Sequence, residues 1–355
     1  MTDTYSFNAS AALLPAPVRG RLREAIEDWQ GTGLSILEVS QRSGDFEQLV
    51  DRVLSRLRAV LAVPASHAVL LAPGSSSHQF AMVPLNLLRG RGRAAYVVSG
   101  TWSQRAAAEA RRWCAVQIAA STAGAHRVPR QQELTVDPDV AYLHYTANET
   151  LEGVEFAYVP DGGGPPVAAD WSSALFARPL DAARFGVVYA GAQKHLGAAG
   201  LTVVIAREDL LGRAAPGTPT VFDYAVHREA GSLHASSVAM AWYVADLMLE
   251  WLAAQGGVGA LAREAEGKAA VVYAALDAAP LYVNAVEPGS RSRTTIPFAL
   301  REPGLQARFL EQAAADGLVG LTGPRGLRAG LGNALPLEGA RRLAAFLGDF
   351  AVRHG

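Results

Sequence analysis

Short strand-like runs alternate with helical patterns through the first two thirds of the chain, and this alternation restricts the fold more than any other feature. The runs are AVLLA (68–72), AAYVV (94–98), AYLHYT (141–146), PVAAD (166–170), VVYAG (187–191) and LTVVIA (201–206). Apolar runs of this kind, separated by helices, indicate an α/β domain with a mainly parallel, buried sheet. Because open α/β sheets bind ligands at the carboxyl ends of their strands, we expect the functional residues there.

The pattern changes near residue 256. A Gly-led helix, several short strands and a helix near 305–315 follow, and Pro336 opens a final helix that extends to about residue 353. This mixture predicts a smaller α+β domain. We therefore divide the chain into an N-terminal segment (1–15), a large domain (16–255) and a small C-terminal domain (256–355).

Composition argues against several classes of protein. The 355 residues carry a formal net charge of -1 and 18% charged side chains, so no basic surface for nucleic acid is indicated. No apolar segment is long enough to span a membrane and the N-terminus lacks a signal-peptide pattern, so we expect a soluble, cytoplasmic protein. Cys114 is the only cysteine, and we interpret it as a small buried side chain.

Lysine is almost absent from this chain. Of the 32 basic residues, 30 are arginine, and the two lysines are Lys194 and Lys268. Arginine stays protonated, whereas a desolvated lysine amine loses its proton and attacks carbonyl carbons. Lys194 follows the buried run VVYAG and is a candidate for covalent chemistry. Lys268 is interpreted as an ordinary surface residue on a solvated helix.

Three further features fit a lysine that binds pyridoxal phosphate. Asp170 ends a strand-like run and would keep the pyridine nitrogen protonated, although a strand-end aspartate is often only a cap. Gly74 is followed by three serines, and a helix begins near Ser76. The free N–H groups of this helix start form either a phosphate site or a Ser-capped end. Trp102 follows another strand, where its indole either stacks on a flat ring or packs in the core.

Seven motifs extend this pattern along the whole chain: HYTANETLEG, YAGAQKHLG, QFAMVPLN, GTW, EVSQRSGDF, NALPLEG and RHG. In combination they resemble the phosphoserine aminotransferases, which are class-V aminotransferases of fold type I and act in serine biosynthesis. The resemblance implies a large domain with a seven-stranded, mainly parallel sheet and a small α+β domain. It also implies the cofactor pyridoxal 5′-phosphate and a homodimer with shared active sites.

The resemblance assigns a role to individual residues. Lys194 would bind the cofactor covalently and move the substrate Cα proton, and Asp170 would pair with the ring nitrogen. Trp102 would stack on the ring, and Thr150 would hydrogen-bond its phenolic oxygen. The cofactor phosphate would be bound by Ser76, Ser77 and Gln193 and, from a neighbouring subunit, by Ser236.

Several substrate-side positions depart from the family pattern. Gln41 and Pro324 stand where histidines are usual, and Ser77 stands where many members have arginine. Only two residues separate Arg325 from Arg328, a shorter link than is usual in the family. Three positive charges nevertheless remain for a substrate with anions at both ends, and Arg328 would bind the α-carboxylate. The predicted substrate-binding residues are Gln41, Arg42, Arg325 and Arg328.

The sequence therefore predicts transamination between phosphoserine and 2-oxoglutarate. Two enzymatic alternatives stay open: an aminotransferase for another anionic amino acid, such as a phosphonate, sulfonate or dicarboxylate, and a pyridoxal phosphate-dependent lyase. A non-catalytic protein that retains the fold is a third reading. His195 is interpreted as a packing or interface group and not as a metal ligand. His144 and His234 could approach the cofactor, but we interpret them as core or interface hydrogen-bonding groups.

Overall fold

The computed structural model describes residues 4–11, 13–236 and 238–355. Residues 1–3 and 12 of the predicted N-terminal segment, and Ser237 beside Ser236, lie outside the described residues. The described residues form nine α-helices: α1 (Ala16–Glu27), α2 (Gly44–Val60), α3 (Ser76–Leu87), α4 (Thr101–Ala110), α5 (Tyr224–Glu229), α6 (Ala239–Ala254), α7 (Gly257–Ala278), α8 (Gln306–Ala315) and α9 (Leu337–His354).

The same residues form fifteen β-strands. They are β1 (Tyr5–Ser6), β2 (His67–Pro73), β3 (Arg93–Val98), β4 (Ala115–Ser121), β5 (Leu143–Thr146), β6 (Asn148–Glu149), β7 (Val154–Glu155), β8 (Val167–Asp170), β9 (Val187–Gly191), β10 (Leu201–Arg207), β11 (Tyr282–Val283), β12 (Thr295–Leu300), β13 (Leu318–Val319), β14 (Thr322–Gly323) and β15 (Gly326–Gly330).

A seven-stranded sheet organises the region before residue 256. Its strand order is β2-β10-β9-β8-β5-β3-β4, and β10 runs antiparallel to both of its neighbours while the other pairings are parallel. All six predicted strands occur in this sheet, so the predicted α/β class and mainly parallel sheet are confirmed. The seventh strand, β4, lies at the edge and was not predicted, because most of its side chains are exposed or only partly buried.

Apolar side chains cover both faces of this sheet. Along β2, Val69 and Leu71 belong to one core, and Ala68 and Leu70 belong to the core on the other face. Helices α2 and α6 pack together on the first face, and α3 packs with α4 on the second. Because strands alternate their side chains, a strand buried on both faces reads as the continuous apolar run seen in the sequence.

A third core forms in the C-terminal region. The antiparallel sheet β11-β12-β15-β14 packs with α8 and α9 through Phe298, Phe309 and Phe346. The N-terminal segment joins this core, because β1 pairs with β13 and Phe7 is fully buried there. None of the helices in the described ranges has the length and apolar character needed to cross a bilayer.

Lys268 corrects one prediction. It is not a surface residue: its side chain is 1% exposed, and Nζ donates to the carbonyl oxygens of Gly332 at 2.9 Å and Leu335 at 2.8 Å. Burial lowers the pKa of Lys268 to about 8. The prediction failed because α7 packs against α9, a contact that the pattern of α7 alone does not reveal. Cys114, predicted to be buried, is half-buried.

Candidate active site

A cavity of about 380 Å³ lies at the carboxyl ends of β5 and β8, within the 300–1,000 Å³ typical of ligand pockets. The turns that follow β2, β3 and β9 also reach it, as expected for an α/β sheet. Eight of the predicted site residues line it: Ser76, Ser77, Trp102, Thr150, Asp170, Gln193, Lys194 and Arg328.

Lys194 and Asp170 enter the cavity from neighbouring strands. Asp170 is the last residue of β8 and is paired in register with Tyr189 of β9, and Lys194 lies in the turn after β9. Burial lowers the pKa of Lys194, with the charges of Asp170 and Glu149 opposing the effect. Burial raises the pKa of Asp170, with the Lys194 charge opposing it. A desolvated amine and a buried carboxylate therefore share one cavity.

Trp102 and Thr150 form a hydrogen-bonded pair in the cavity wall. The Trp102 indole Nε1–H donates to Thr150 Oγ1 at 2.9 Å. The Lys194 Nζ lies 5.7 Å from the centroid of the Trp102 ring. Because the Thr150 oxygen accepts this bond, the hydroxyl proton remains available for a second partner.

Two carboxylates that the sequence analysis missed hold the start of α4. Glu149 is fully buried, and it accepts hydrogen bonds from the N–H groups of Trp102 at 2.8 Å and Ser103 at 2.9 Å and from the Ser103 hydroxyl at 2.6 Å. Burial raises the pKa of Glu149 to about 7. Glu152 accepts from the Thr101 N–H and hydroxyl. The sequence feature that could have revealed these carboxylates is Gly100. It is the N-cap residue of α4 and has no side chain to bind the first N–H groups of the helix.

The start of α3 supplies donors to the cavity. Ser75 is the N-cap, and its backbone N–H donates to Nδ1 of His78 at 3.0 Å. Ser76 and Ser77 follow at the first helical positions and line the cavity together with Gln193. The first N–H groups of a helix lack intrahelical acceptors, and the helix N-terminus is the positive end of the helix dipole. This corner of the cavity therefore suits an anion.

Arg328 and Arg325 occupy different positions despite the short link between them. Residues 324 and 325 form the turn between β14 and β15, with Gly323 paired to Gly326. Arg328 lines the cavity and donates from NH1 to the Thr150 carbonyl at 3.2 Å, and burial lowers the pKa of Arg328. Arg325 lines a neighbouring cavity of about 290 Å³, where it donates to Glu152 at 2.7 Å and to the Thr101 hydroxyl at 2.8 Å.

The remaining predicted residues lie elsewhere. Gln41 and Arg42 precede α2, and neither they nor the exposed Ser236 are among the described residues that line the 380 Å³ cavity. The three histidines make local contacts: His195 with the Ser173 carbonyl, His144 with the Tyr189 hydroxyl, and His234 with the Thr220 hydroxyl. His144 and His195 are buried, as their interpretation as core groups requires, whereas His234 is exposed and its interface role stays a prediction.

The fold and this arrangement of lysine, aspartate and tryptophan define a class of enzyme. The family model described as "Aminotransferase class-V" matches residues 4–321, and the chain therefore belongs to the class-V aminotransferase family. Over 357 residues it is 44% identical to the phosphoserine aminotransferase of Acidithiobacillus ferrooxidans, with 99% of each chain covered. The family predicted from the sequence motifs is confirmed.

Solved structures agree with this assignment. The phosphoserine aminotransferase of Bacillus circulans subsp. alkalophilus is 37% identical and superposes with a TM-score of 0.95, with 99% of each chain covered. The phosphoserine aminotransferase of Trichomonas vaginalis, solved with pyridoxal phosphate bound, is 31% identical with a TM-score of 0.93 and covers 97% of this chain and 99% of its own. The predicted fold type is therefore confirmed.

Proposed function

We propose that this protein transfers the amino group between phosphoserine and a 2-oxo acid, with 2-oxoglutarate as the natural acceptor and pyridoxal 5′-phosphate as the cofactor. One observation carries the proposal. A chain 44% identical to a phosphoserine aminotransferase over its full length brings Lys194 and Asp170 together in one cavity of suitable volume.

The residues in the cavity fit the cofactor. A buried carboxylate such as Asp170, which accepts one hydrogen bond from the Ser172 N–H at 2.9 Å, is a strong acceptor for a protonated ring nitrogen. The start of α3 and Gln193 offer neutral donors for a phosphate. Trp102 offers a flat ring, and Thr150 has a hydroxyl proton free to donate to a phenolic oxygen.

When bound, pyridoxal phosphate supplies an aldehyde that condenses with amines and a ring that withdraws electrons from the bonds at the substrate Cα. The protein supplies the proton transfers. Because burial favours the neutral form of Lys194, its Nζ can act as a nucleophile and then as the base that takes the proton from the substrate Cα. Asp170 would hold a proton at the ring nitrogen by keeping its own negative charge beside it.

Arg328 binds the α-carboxylate of the substrate. Its NH1 is fixed by the Thr150 carbonyl, and its buried Nε has no hydrogen-bond partner among the described residues. Leaving a buried guanidinium N–H without a partner costs free energy, so a carboxylate that accepts from it is bound with a charge-assisted hydrogen bond.

A homodimer in the cytoplasm completes the proposal. Ser236 is exposed and lies outside the described lining of the cavity, so it reaches a cofactor phosphate only if a second copy presents it. The exposed apolar side chains Leu34, Leu37 and Val238 are consistent with a subunit interface. A single, half-buried cysteine is compatible with a reducing compartment.

The test is a half-reaction screen on the cofactor-loaded protein. Phosphoserine, glutamate, aspartate, cysteate and phosphonoalanine are added singly, and absorbance follows conversion of the aldehyde form of the cofactor to its amine form. We expect phosphoserine and glutamate to react, and the Lys194→Ala variant to be inert. A strong preference for cysteate or phosphonoalanine, or release of pyruvate without an acceptor, would overturn the proposed substrate or the proposed reaction.

A further inference from the structure

Glu149 is a buried carboxylate that takes no part in the proposed proton transfers. It is fully buried and lies on β6, between Asn148 and Thr150, which both line the 380 Å³ cavity. Removing a carboxylate from water costs free energy unless its oxygens accept hydrogen bonds. The groups that donate to Glu149 therefore show which part of the site depends on it.

Glu149 joins two elements that each carry a predicted cofactor contact. One of its oxygens accepts from the Trp102 N–H at 2.8 Å, and the other accepts from the Ser103 N–H at 2.9 Å and hydroxyl at 2.6 Å. These bonds hold the first turn of α4, which carries the Trp102 ring. The residue after Glu149 carries the Thr150 hydroxyl, which lies 2.9 Å from the indole Nε1. The stacking ring and the hydroxyl are therefore held at fixed positions relative to each other.

The first turn of α4 is bound from outside the helix. An N-cap side chain usually satisfies these N–H groups from the end of the helix itself. The N-cap of α4 is Gly100, and a Cβ there would lie 2.8 Å from Glu149 Cδ, so the carboxylate occupies the place of a cap. The position of Trp102 therefore depends on β6, through Glu149.

The other two acids of the hairpin β6–β7 (148–155) bind different groups. Glu152 accepts from the N–H of Thr101 at 3.1 Å and from its hydroxyl at 2.7 Å. Glu155 is also buried, and it accepts from the N–H of Arg293 in the C-terminal region at 2.9 Å. Of the three acids, Glu149 binds the backbone of the residue that carries the stacking ring.

We propose that Glu149 is a positioning residue for the cofactor, which fixes the Trp102 ring against the pyridine ring by binding the first turn of α4. This inference rests on the proposed function, which assigns the stacking role to Trp102. A glutamate has two oxygens that accept hydrogen bonds, whereas a glutamine has one such oxygen and an NH2 group that only donates. Glu149→Gln therefore leaves one N–H of the first turn without its acceptor and loosens the turn that carries the ring.

The test is a double-mutant cycle on the affinity for the cofactor. Fluorescence titration of the cofactor-free protein gives the dissociation constant of pyridoxal phosphate for the unmodified chain, Glu149→Gln, Trp102→Ala and the double variant. We expect Glu149→Gln to weaken binding about 10-fold in the unmodified chain. In the Trp102→Ala background no ring remains to be positioned, and the loss should be less than about twofold. The visible circular dichroism of the bound cofactor should also fall in Glu149→Gln, because it reports the asymmetric placement of the ring.

Glu155→Gln is the matched control. It alters a buried acid of the same hairpin that binds the C-terminal region, and it should leave the affinity for the cofactor essentially unchanged. Glu149→Asp keeps both oxygens but moves them back by one methylene group, and it should show a smaller loss with the same dependence on Trp102. This second variant keeps the test decisive if Glu149→Gln does not fold.

A loss of the same size in both Trp102 backgrounds would overturn the inference. Glu149 would then act by another route, such as its charge, which together with that of Asp170 opposes the lowering of the Lys194 pKa by burial. An unchanged dissociation constant in Glu149→Gln, or in Trp102→Ala, would overturn it as well. The titration uses no amino acid, so its outcome is independent of the substrate that the half-reaction screen identifies.

Discussion

At the scale of single residues, the chain uses its two lysines for opposite purposes. Lys194 lines a cavity, and burial lowers its pKa although the charges of Asp170 and Glu149 oppose the effect. Lys268 is also desolvated, but its Nζ donates hydrogen bonds to two backbone carbonyls that precede α9. Sequence alone distinguished them only by position: Lys194 follows a buried strand, whereas the burial of Lys268 depends on a helix 70 residues away.

Replacing Lys268 by methionine should destabilise the protein by roughly 2 kcal/mol, because two carbonyl oxygens lose their donor. Urea unfolding of the cofactor-loaded protein measures the change. The control is Glu264→Gln, which alters a partly exposed acid 3.8 Å from Nζ and should change the free energy of unfolding by less than about 0.5 kcal/mol. Equal stability of Lys268→Met and the unmodified protein would support a surface role after all.

Glu149 predicts a pH dependence. Its pKa is raised from 4.5 to about 7 by burial, so between those pH values the folded state holds a proton that the unfolded state has lost. The contribution of Glu149 to the free energy of unfolding is therefore greatest below pH 4.5. It falls as pH rises toward 7, by on the order of 3 kcal/mol in total. Glu149→Gln should flatten this part of the stability profile, measured by urea unfolding at pH 5 and pH 7. Glu338→Gln, which alters an exposed acid, is the control. If the stability of Glu149→Gln changes with pH as it does in the unmodified protein, the raised pKa of Glu149 is contradicted.

At the scale of elements, two buried carboxylates hold the start of α4. Gly100 provides no cap, so Glu149 and Glu152 bind the first N–H groups of the helix from a neighbouring turn. A Cβ at Gly100 would lie 2.6 Å from Glu152 Oε2 and 2.8 Å from Glu149 Cδ. Trp102 is therefore placed by this packing.

Gly100→Ala should shift the start of α4 and cost about 1–3 kcal/mol of stability through overpacking. Cofactor affinity should fall with it, because Trp102 moves with the helix. Thermal unfolding and a fluorescence titration with pyridoxal phosphate measure the two effects. Gly92→Ala, where a Cβ meets open space, is the matched control, and identical behaviour of the two variants would show that α4 is not held in this way.

Prediction from sequence succeeded for elements that bury apolar side chains on both faces. The six predicted strands are of this kind, and the helix starts at Ser76 and near Pro336 had recognisable first-turn residues. The edge strand β4 lacks such a run. The pairing of Arg325 with Glu152 was not predictable, since it joins a hairpin turn to a residue 173 positions earlier.

At the scale of the whole molecule, the cavity forms where three parts of the chain meet. The large sheet and the turn after β9 supply Asp170 and Lys194, the C-terminal region supplies Arg328, and the N-terminal segment supplies Ala9 and Ser10. The sequence separated these parts, but it could not show that β1 pairs with β13, because a two-residue strand carries no periodicity. The domain boundary at 255/256 stays a prediction, and so does the role of Arg42.

The central claim is that Lys194 carries the cofactor covalently. Reduction of the cofactor-loaded protein with borohydride, followed by proteolysis and peptide mass spectrometry, tests it directly, since the chain offers only two lysines. We predict the mass of one pyridoxyl phosphate group on the peptide that contains Lys194 and none on the peptide that contains Lys268. A label on Lys268, or no label on either lysine although the cofactor is bound, would contradict the account.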